Sequence, residues 1–148
     1  MTEGEKKKVL ILCTGNSCRS QMAEVIWNKL GGENWEAVSA GSKPAGYVHP
    51  LAIKLMKEYE LPTEGLESKS VEPMLEQHFD LVVTVCDGAK GDCPAFPGAK
   101  TVLHWPFEDP NDAEGDESEK MEVFRSVADL IQARIKAYLG KLSADDRA

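Results

Sequence analysis

The run Cys13-Thr14-Gly15-Asn16-Ser17-Cys18-Arg19-Ser20 sets a thiol and a guanidinium on one short stretch, with five residues between them. The apolar run Val9-Leu10-Ile11-Leu12 precedes it and a helical pattern follows, so the stretch is a tight strand-to-helix turn. Backbone amides at such a turn can wrap a tetrahedral oxyanion. A cysteine thiol ionises more readily at a helix N-terminus and beside a cation, and the pattern gives Cys13 both placements. The Ser20 hydroxyl stands where it can donate to that sulfur. Gly15 and Asn16 tolerate positive φ, so successive amides can turn inward. Arg19 can clamp two oxygens in a bidentate fork, which a lysine cannot. Thr14, Gly15, Asn16, Ser17, Cys18 and Arg19 therefore form a candidate oxyanion cradle around the nucleophile Cys13. The plain alternative, an inert cysteine beside a turn glycine, does not account for the strand, the arginine, the serine and the helix together. A nucleotide-binding loop of the Walker type is excluded, because the Gly-Lys-Ser/Thr ending is missing.

The elements that must position this turn follow from periodicity. Lys8 to Leu12 reads as a strand, Ser20 to Leu30 as a helix with Met22, Ile26 and Leu30 on one face, and Trp35 to Ser39 as a second strand closed by Gly41. A helix starting near Pro50 buries Leu51, Leu55, Met56 and Tyr59 and ends at Leu61-Pro62. Val71 to Gln77 is a short helix candidate. Asp80 to Val85 is a continuously apolar strand of the kind buried on both faces. Thr101 to His104 is the fourth strand, and Ser118 to Leu139 the last helix, with Phe124, Val127, Ile131, Ile135 and Tyr138 on one face. The implied fold is α/β, a doubly wound four-stranded parallel sheet with helices on both faces. Its ligand site lies at the carboxyl ends of the strands. The loops after Leu12, Val85 and His104 all begin there.

The bulk properties suit one domain over residues 1–148. A net charge of -8 disfavours nucleic acid and anionic membranes as partners, so an anionic substrate must be drawn by local potential. No run is long enough to span a bilayer, and the apolar run after Lys6-Lys7-Lys8 is too short for a signal core. The expected compartment is the cytoplasm, where the four cysteines are more plausibly catalytic, metal-bound or inert than structural staples.

Two further groups could serve the same chemistry. A leaving oxygen needs a proton, so a carboxylic acid should face the nucleophile. Glu108-Asp109-Pro110 follows the fourth strand, and Pro110 biases Asp109 toward extended backbone; a turn is the ordinary use of Asp-Pro. Cys86 and Cys93 follow the third strand with six residues between them. That spacing does not fit paired zinc knuckles, and no histidine is close by. Gly88 and Gly91 between them suit a moving segment, Lys90 favours a thiolate, and Cys86 starts at the strand's carboxyl end. These features fit a thiol relay.

CTGNSCRS resembles the catalytic loop of the low-molecular-weight protein tyrosine phosphatase superfamily. Within it the chain is similar to the thioredoxin-coupled arsenate reductases from about Lys8 to the final helix. The loop does not separate the two branches; the Cys86–Cys93 pair does, because ordinary phosphatases of the superfamily generally lack it. They also tend to carry aromatic residues after the Asp-Pro, where this chain has Asn111-Asp112. The resemblance implies that Cys13 attacks arsenate while Asp109 acts as general acid, with Glu108 the substitute to test. Cys86 then attacks the adduct, arsenite leaves, and a Cys13–Cys86 disulfide gives way to a Cys86–Cys93 disulfide. Thioredoxin reduces that bond, with glutaredoxin or glutathione as variant donors. The resemblance implies no tightly bound cofactor, but some relatives bind a potassium ion at positions matching Asn16, Glu24 and Ser39, with Glu67 or Ser68 near the remaining ligand.

Cys18 reads as a core residue or a neighbour of Cys13. His49, His78 and His104 read as helix start, surface and strand end, and Trp27, Trp35 and Trp105 as packing. The leading expectation is an arsenate reductase. The alternatives are a low-molecular-weight phosphatase acting on phosphotyrosine or small phosphate esters, and an oxyanion sensor without turnover.

Overall fold

Four short strands align in parallel, each carrying its neighbours' hydrogen bonds, in the order β2-β1-β3-β4. The computed structural model describes residues 6–85 and 99–147. Strand β1 is Lys7–Cys13, β2 Trp35–Gly41, β3 Leu81–Thr84 and β4 Val102–His104; helix α1 is Arg19–Gly31, α2 Pro50–Glu58 and α3 Glu117–Arg147. The chain steps from β1 outward to β2, then back across β1 to β3. The crevice between diverging connections therefore opens at the carboxyl ends of β1 and β3.

Alternation along β1 sorts the core into two faces. Val9, Ile11 and Cys13 join the cluster built with the buried sides of α1, α2 and α3. Leu10 and Leu12 join Val82, Val71 and Phe79 on the other face. There the expected short helix is a single 3-10 turn at Glu72–Met74. Trp27, Trp35 and Trp105 are buried, and Trp27 packs against both of the others.

Several ends differ from the sequence reading for local reasons. Strand β3 starts one residue after Asp80, whose carboxylate accepts from the Lys8 backbone N–H at 2.8 Å. Strand β2 runs on to Gly41, opposite Cys13 in the register. Helix α2 is capped at its start by His49 Nδ1, which accepts from Leu51 N at 3.1 Å, and Glu60 at φ 59° ends its last turn. Helix α3 extends past Leu139 to Arg147. Among the described residues no helix is long and apolar enough to cross a membrane.

Candidate active site

The turn from Cys13 to Ser20 is built by tying its carbonyls outward. The carbonyls of Thr14, Gly15 and Ser17 accept from Lys43 N, Ala45 N and His49 N at 2.9 Å each, and that of Cys13 from Ser42 N at 3.3 Å. With these carbonyls tied to the 42–49 segment, amides of the turn are left for its other side. One of them, Asn16 N–H, donates to Cys13 Sγ at 3.1 Å. Asn16 sits at φ 50°, in the left-handed region that asparagine enters more readily than most residues. Cys18, the N-cap of α1, gives its first turn no side-chain cap, which leaves the helix's amide end available to an anion.

The structure brings Cys13, Asn16, Arg19 and Ser20 together at this turn. Cys13 is buried at the strand end, and its sulfur meets Ser20 Oγ at 2.8 Å. Arg19 is buried, donates to the carbonyls of Phe107 at 3.0 Å and Val85 at 3.4 Å, and faces Asp109 Oδ2 from Nη2 at 3.4 Å. Asp109, in extended backbone, is therefore brought to the rim of the cradle; its other oxygen accepts from Asn111 N at 3.0 Å. Glu108 is exposed. Burial pushes the Cys18 thiol up to about 12, so it stays a thiol at neutral pH. His49 is held below the usual histidine range by burial and then by Lys120, so it is neutral at its cap.

Cys86 and Cys93, with Gly88, Lys90 and Gly91, lie outside the described residues. The described chain before them ends at Val85, whose carbonyl is one of the two that Arg19 reaches.

Asn16, Glu24 and Ser39 do come together, in a hydrogen-bonded row. Asn16 Nδ2 donates to Ser39 Oγ at 2.9 Å, and Ser39 Oγ donates to Glu24 Oε1 at 2.7 Å. The row does not fit a cation cage. Asn16 turns its amino group, not its oxygen, toward Ser39, and Lys69 Nζ stands 3.7 Å from Glu24 Oε1. The two candidates for a fourth ligand are engaged elsewhere. The Glu67 carbonyl accepts from Gln21 Nε2 at 2.8 Å, and Ser68 Oγ donates to the Gly15 carbonyl at 3.1 Å.

Nothing in the sequence marks four residues as supports of this turn. Gln21 donates to the carbonyls of both Asn16 and Glu67, pinning the turn to the 67–70 segment. Ser68 holds Gly15, and Lys69 N donates to Asn16 Oδ1 at 2.7 Å. Gly41 reads in the sequence only as a strand end, yet a Cβ there would strike the Thr14 carbonyl oxygen and lie 3.1 Å from Asn16 N.

The chain is similar to known proteins along most of its length. The family model for low molecular weight phosphotyrosine protein phosphatase matches residues 8–148. An arsenate reductase of Halalkalibacterium halodurans is 47% identical over 133 residues, covering 90% of this chain and 95% of that protein. The crystal structure of an arsenate reductase from Archaeoglobus fulgidus superposes with a TM-score of 0.75 at 31% identity, covering 89% of this chain and 98% of that one. An arsenate reductase in a phosphate-binding state matches with a TM-score of 0.75 at 30% identity, over 91% of this chain and 98% of that one.

Proposed function

The chain belongs to the low molecular weight phosphotyrosine protein phosphatase family, and from that premise we propose that it reduces arsenate to arsenite by thiol chemistry. One observation supports the reading: Arg19, next to the Cys13 loop, faces Asp109 across 3.4 Å, so the nucleophile's turn and a candidate acid share one arginine. The similarity to arsenate reductases selects arsenate as the oxyanion, and the phosphate-binding state of one relative fits a cradle for tetrahedral oxyanions.

Each residue then has a task. The inward amides of Thr14 to Cys18 and the Arg19 fork hold the oxyanion. The Cys13 thiolate attacks arsenic, helped by the hydrogen bonds from Ser20 and Asn16. Asp109 gives a proton to the departing oxygen, which leaves as water. Cys86 attacks the Cys13 sulfur of the adduct; the electron pair of the sulfur–arsenic bond goes to arsenic, which leaves as arsenite. Cys93 attacks Cys86, frees Cys13 and leaves a Cys86–Cys93 disulfide. A dithiol donor reduces that bond. Thioredoxin suits an attack on an exposed disulfide, glutaredoxin or glutathione would be the variant, and the cytoplasm is the compartment that supplies all three.

The test is NADPH oxidation with arsenate, thioredoxin and thioredoxin reductase. Arsenate-dependent consumption is expected. It should stop after about one turnover in Cys93→Ser, with a Cys13–Cys86 bridge trapped. Continued multiple turnover in that variant would refute the relay. The family model's description favours one second reading, a phosphatase. Strong hydrolysis of p-nitrophenyl phosphate that survives Cys86→Ser and Cys93→Ser, without arsenate-dependent NADPH use, would select it. Asn111 and Asp112 after the Asp-Pro, where ordinary phosphatases of the superfamily tend to carry aromatic residues, speak for the reductase.

A further inference from the structure

The polar row beneath the Cys13 loop has a direction, readable from its donors. The Lys69 backbone N–H can only donate, so the Asn16 atom it meets at 2.7 Å is the side-chain oxygen. The Asn16 amino group therefore points the other way, donating to Ser20 Oγ at 2.7 Å and to Ser39 Oγ at 2.9 Å. Ser39 passes its own hydrogen to Glu24 at 2.7 Å. Ser20, already an acceptor from Asn16, has its hydrogen left for Cys13 Sγ at 2.8 Å. One end of the row is thus a donor to the sulfur, and the other is a carboxylate whose side chain is only 14% exposed. A charge held that far from water needs a partner. Lys69 Nζ supplies one at 3.7 Å, steadied by a hydrogen bond to the Glu67 carbonyl at 3.4 Å.

We propose that Lys69 is a built-in counter-cation for this loop. Its ammonium takes the place that a potassium ion would hold against Glu24. Its backbone N–H sets the Asn16 amide so that Ser20 donates to Cys13. Lys69 is a positioning residue, acting through Glu24 and Asn16. The inference stands on the hydrogen-bond geometry and does not depend on arsenate being the substrate.

Thermal unfolding of the full chain in potassium chloride and in sodium chloride, at equal ionic strength, tests it. The unsubstituted protein should melt at the same temperature in both salts. Lys69→Met should melt lower in sodium and recover, at least in part, in potassium. Lys69→Arg should match the unsubstituted protein in either salt. Alkylation of Cys13 by iodoacetamide, read at that cysteine by peptide mass spectrometry, should slow roughly threefold in Lys69→Met in sodium and recover in potassium. A purely structural role for the lysine would give no potassium-specific rescue. A potassium-specific rise in the melting temperature of the unsubstituted protein overturns the proposal. So does a Lys69→Met protein that behaves like the unsubstituted one in both measurements. If Lys69→Met does not fold, the salt comparison and Lys69→Arg still decide.

Discussion

Two segments leave the carboxyl ends of the sheet toward the same place, and they are held very differently. The Cys13–Ser20 turn is fixed on all sides. Four of its carbonyls are tied to residues 42–49, and Asn16 is bonded through both ends of its amide. Asn16 and Ser20 are fully buried. The segment after β4 is held near its start, where Trp105 N donates to the Thr84 carbonyl at 2.8 Å, Phe107 N to the Val85 carbonyl at 3.4 Å, and the Phe107 carbonyl accepts from Arg19 at 3.0 Å. Beyond that the Asp109 side chain is 25% exposed and meets the cradle through Arg19 alone among the contacts described. A nucleophile that must lie in line with its target gains from preorganisation. An acid that must follow a departing oxygen gains from a looser mount. Substitutions should therefore cost folding and chemistry together in the first segment, and chemistry alone in the second.

The largest expected effect separates those two costs. Asp109→Asn keeps the cap on Asn111 N, because asparagine oxygen accepts as aspartate does, but it has no proton to give. Arsenate turnover should fall about 100-fold or more. Stability should change by no more than about 1 kcal/mol, the usual worth of a partly exposed ion pair. Phosphate, as a competitor, should bind more tightly, since Arg19 loses the carboxylate it now faces. Steady-state kinetics with phosphate inhibition, beside urea unfolding, reads all three. A variant that turns over normally would remove Asp109 from the mechanism.

The next effect falls on the rigid side. Gly41 lies opposite Cys13 in the β1–β2 register, and the turn's backbone passes directly over it. In Gly41→Ala the new methyl group would push against the Thr14 carbonyl and Asn16. The backbone there is held by the 42–49 bonds and cannot simply swing aside. Such overpacking should cost about 2–3 kcal/mol in urea unfolding. Turnover should fall as well, because the same shift moves the cradle. Loss of stability with full activity would mean that the turn tolerates displacement, and the contrast between the segments would weaken.

The legibility of the two segments in the sequence differs for the same physical reason. The cradle's own residues act through local chain geometry, so Cys13, Asn16, Arg19 and Ser20 could be read from one turn between a strand and a helix. The parallel sheet followed from apolar runs alternating with helical periods, while Asp109 followed from its place after β4 only together with the family resemblance. What holds the cradle from outside could not be read. Gln21, Gly41, Ser68 and Lys69 reach it by crossings fixed only when β2 and the 67–70 segment pack beside β1. No periodicity marks a lysine whose partner is a glutamate 45 positions earlier. The potassium reading shows the limit most clearly. Asn16, Glu24 and Ser39 do meet, but which way the Asn16 amide points depends on a backbone N–H from a distant loop.

The smallest expected effect tests whether looseness in the second segment extends to which carboxylate does the work. Glu108 and Asp109 are adjacent, and both carry the group a general acid needs. Asp109 is in extended backbone, where neighbouring side chains point to opposite sides. Since Asp109 faces Arg19 and the buried Pro110 follows it, Glu108 is left on the solvent side, where it is exposed. Glu108→Gln should thus leave arsenate turnover within about twofold, a change of roughly 0.4 kcal/mol in activation free energy. The double variant Glu108→Gln, Asp109→Asn should be no slower than Asp109→Asn alone. If the double variant instead loses a further order of magnitude, Glu108 is delivering the proton when Asp109 cannot. The segment would then be mobile enough to exchange one acid for the other, a freedom that the buried turn around Cys13 does not have.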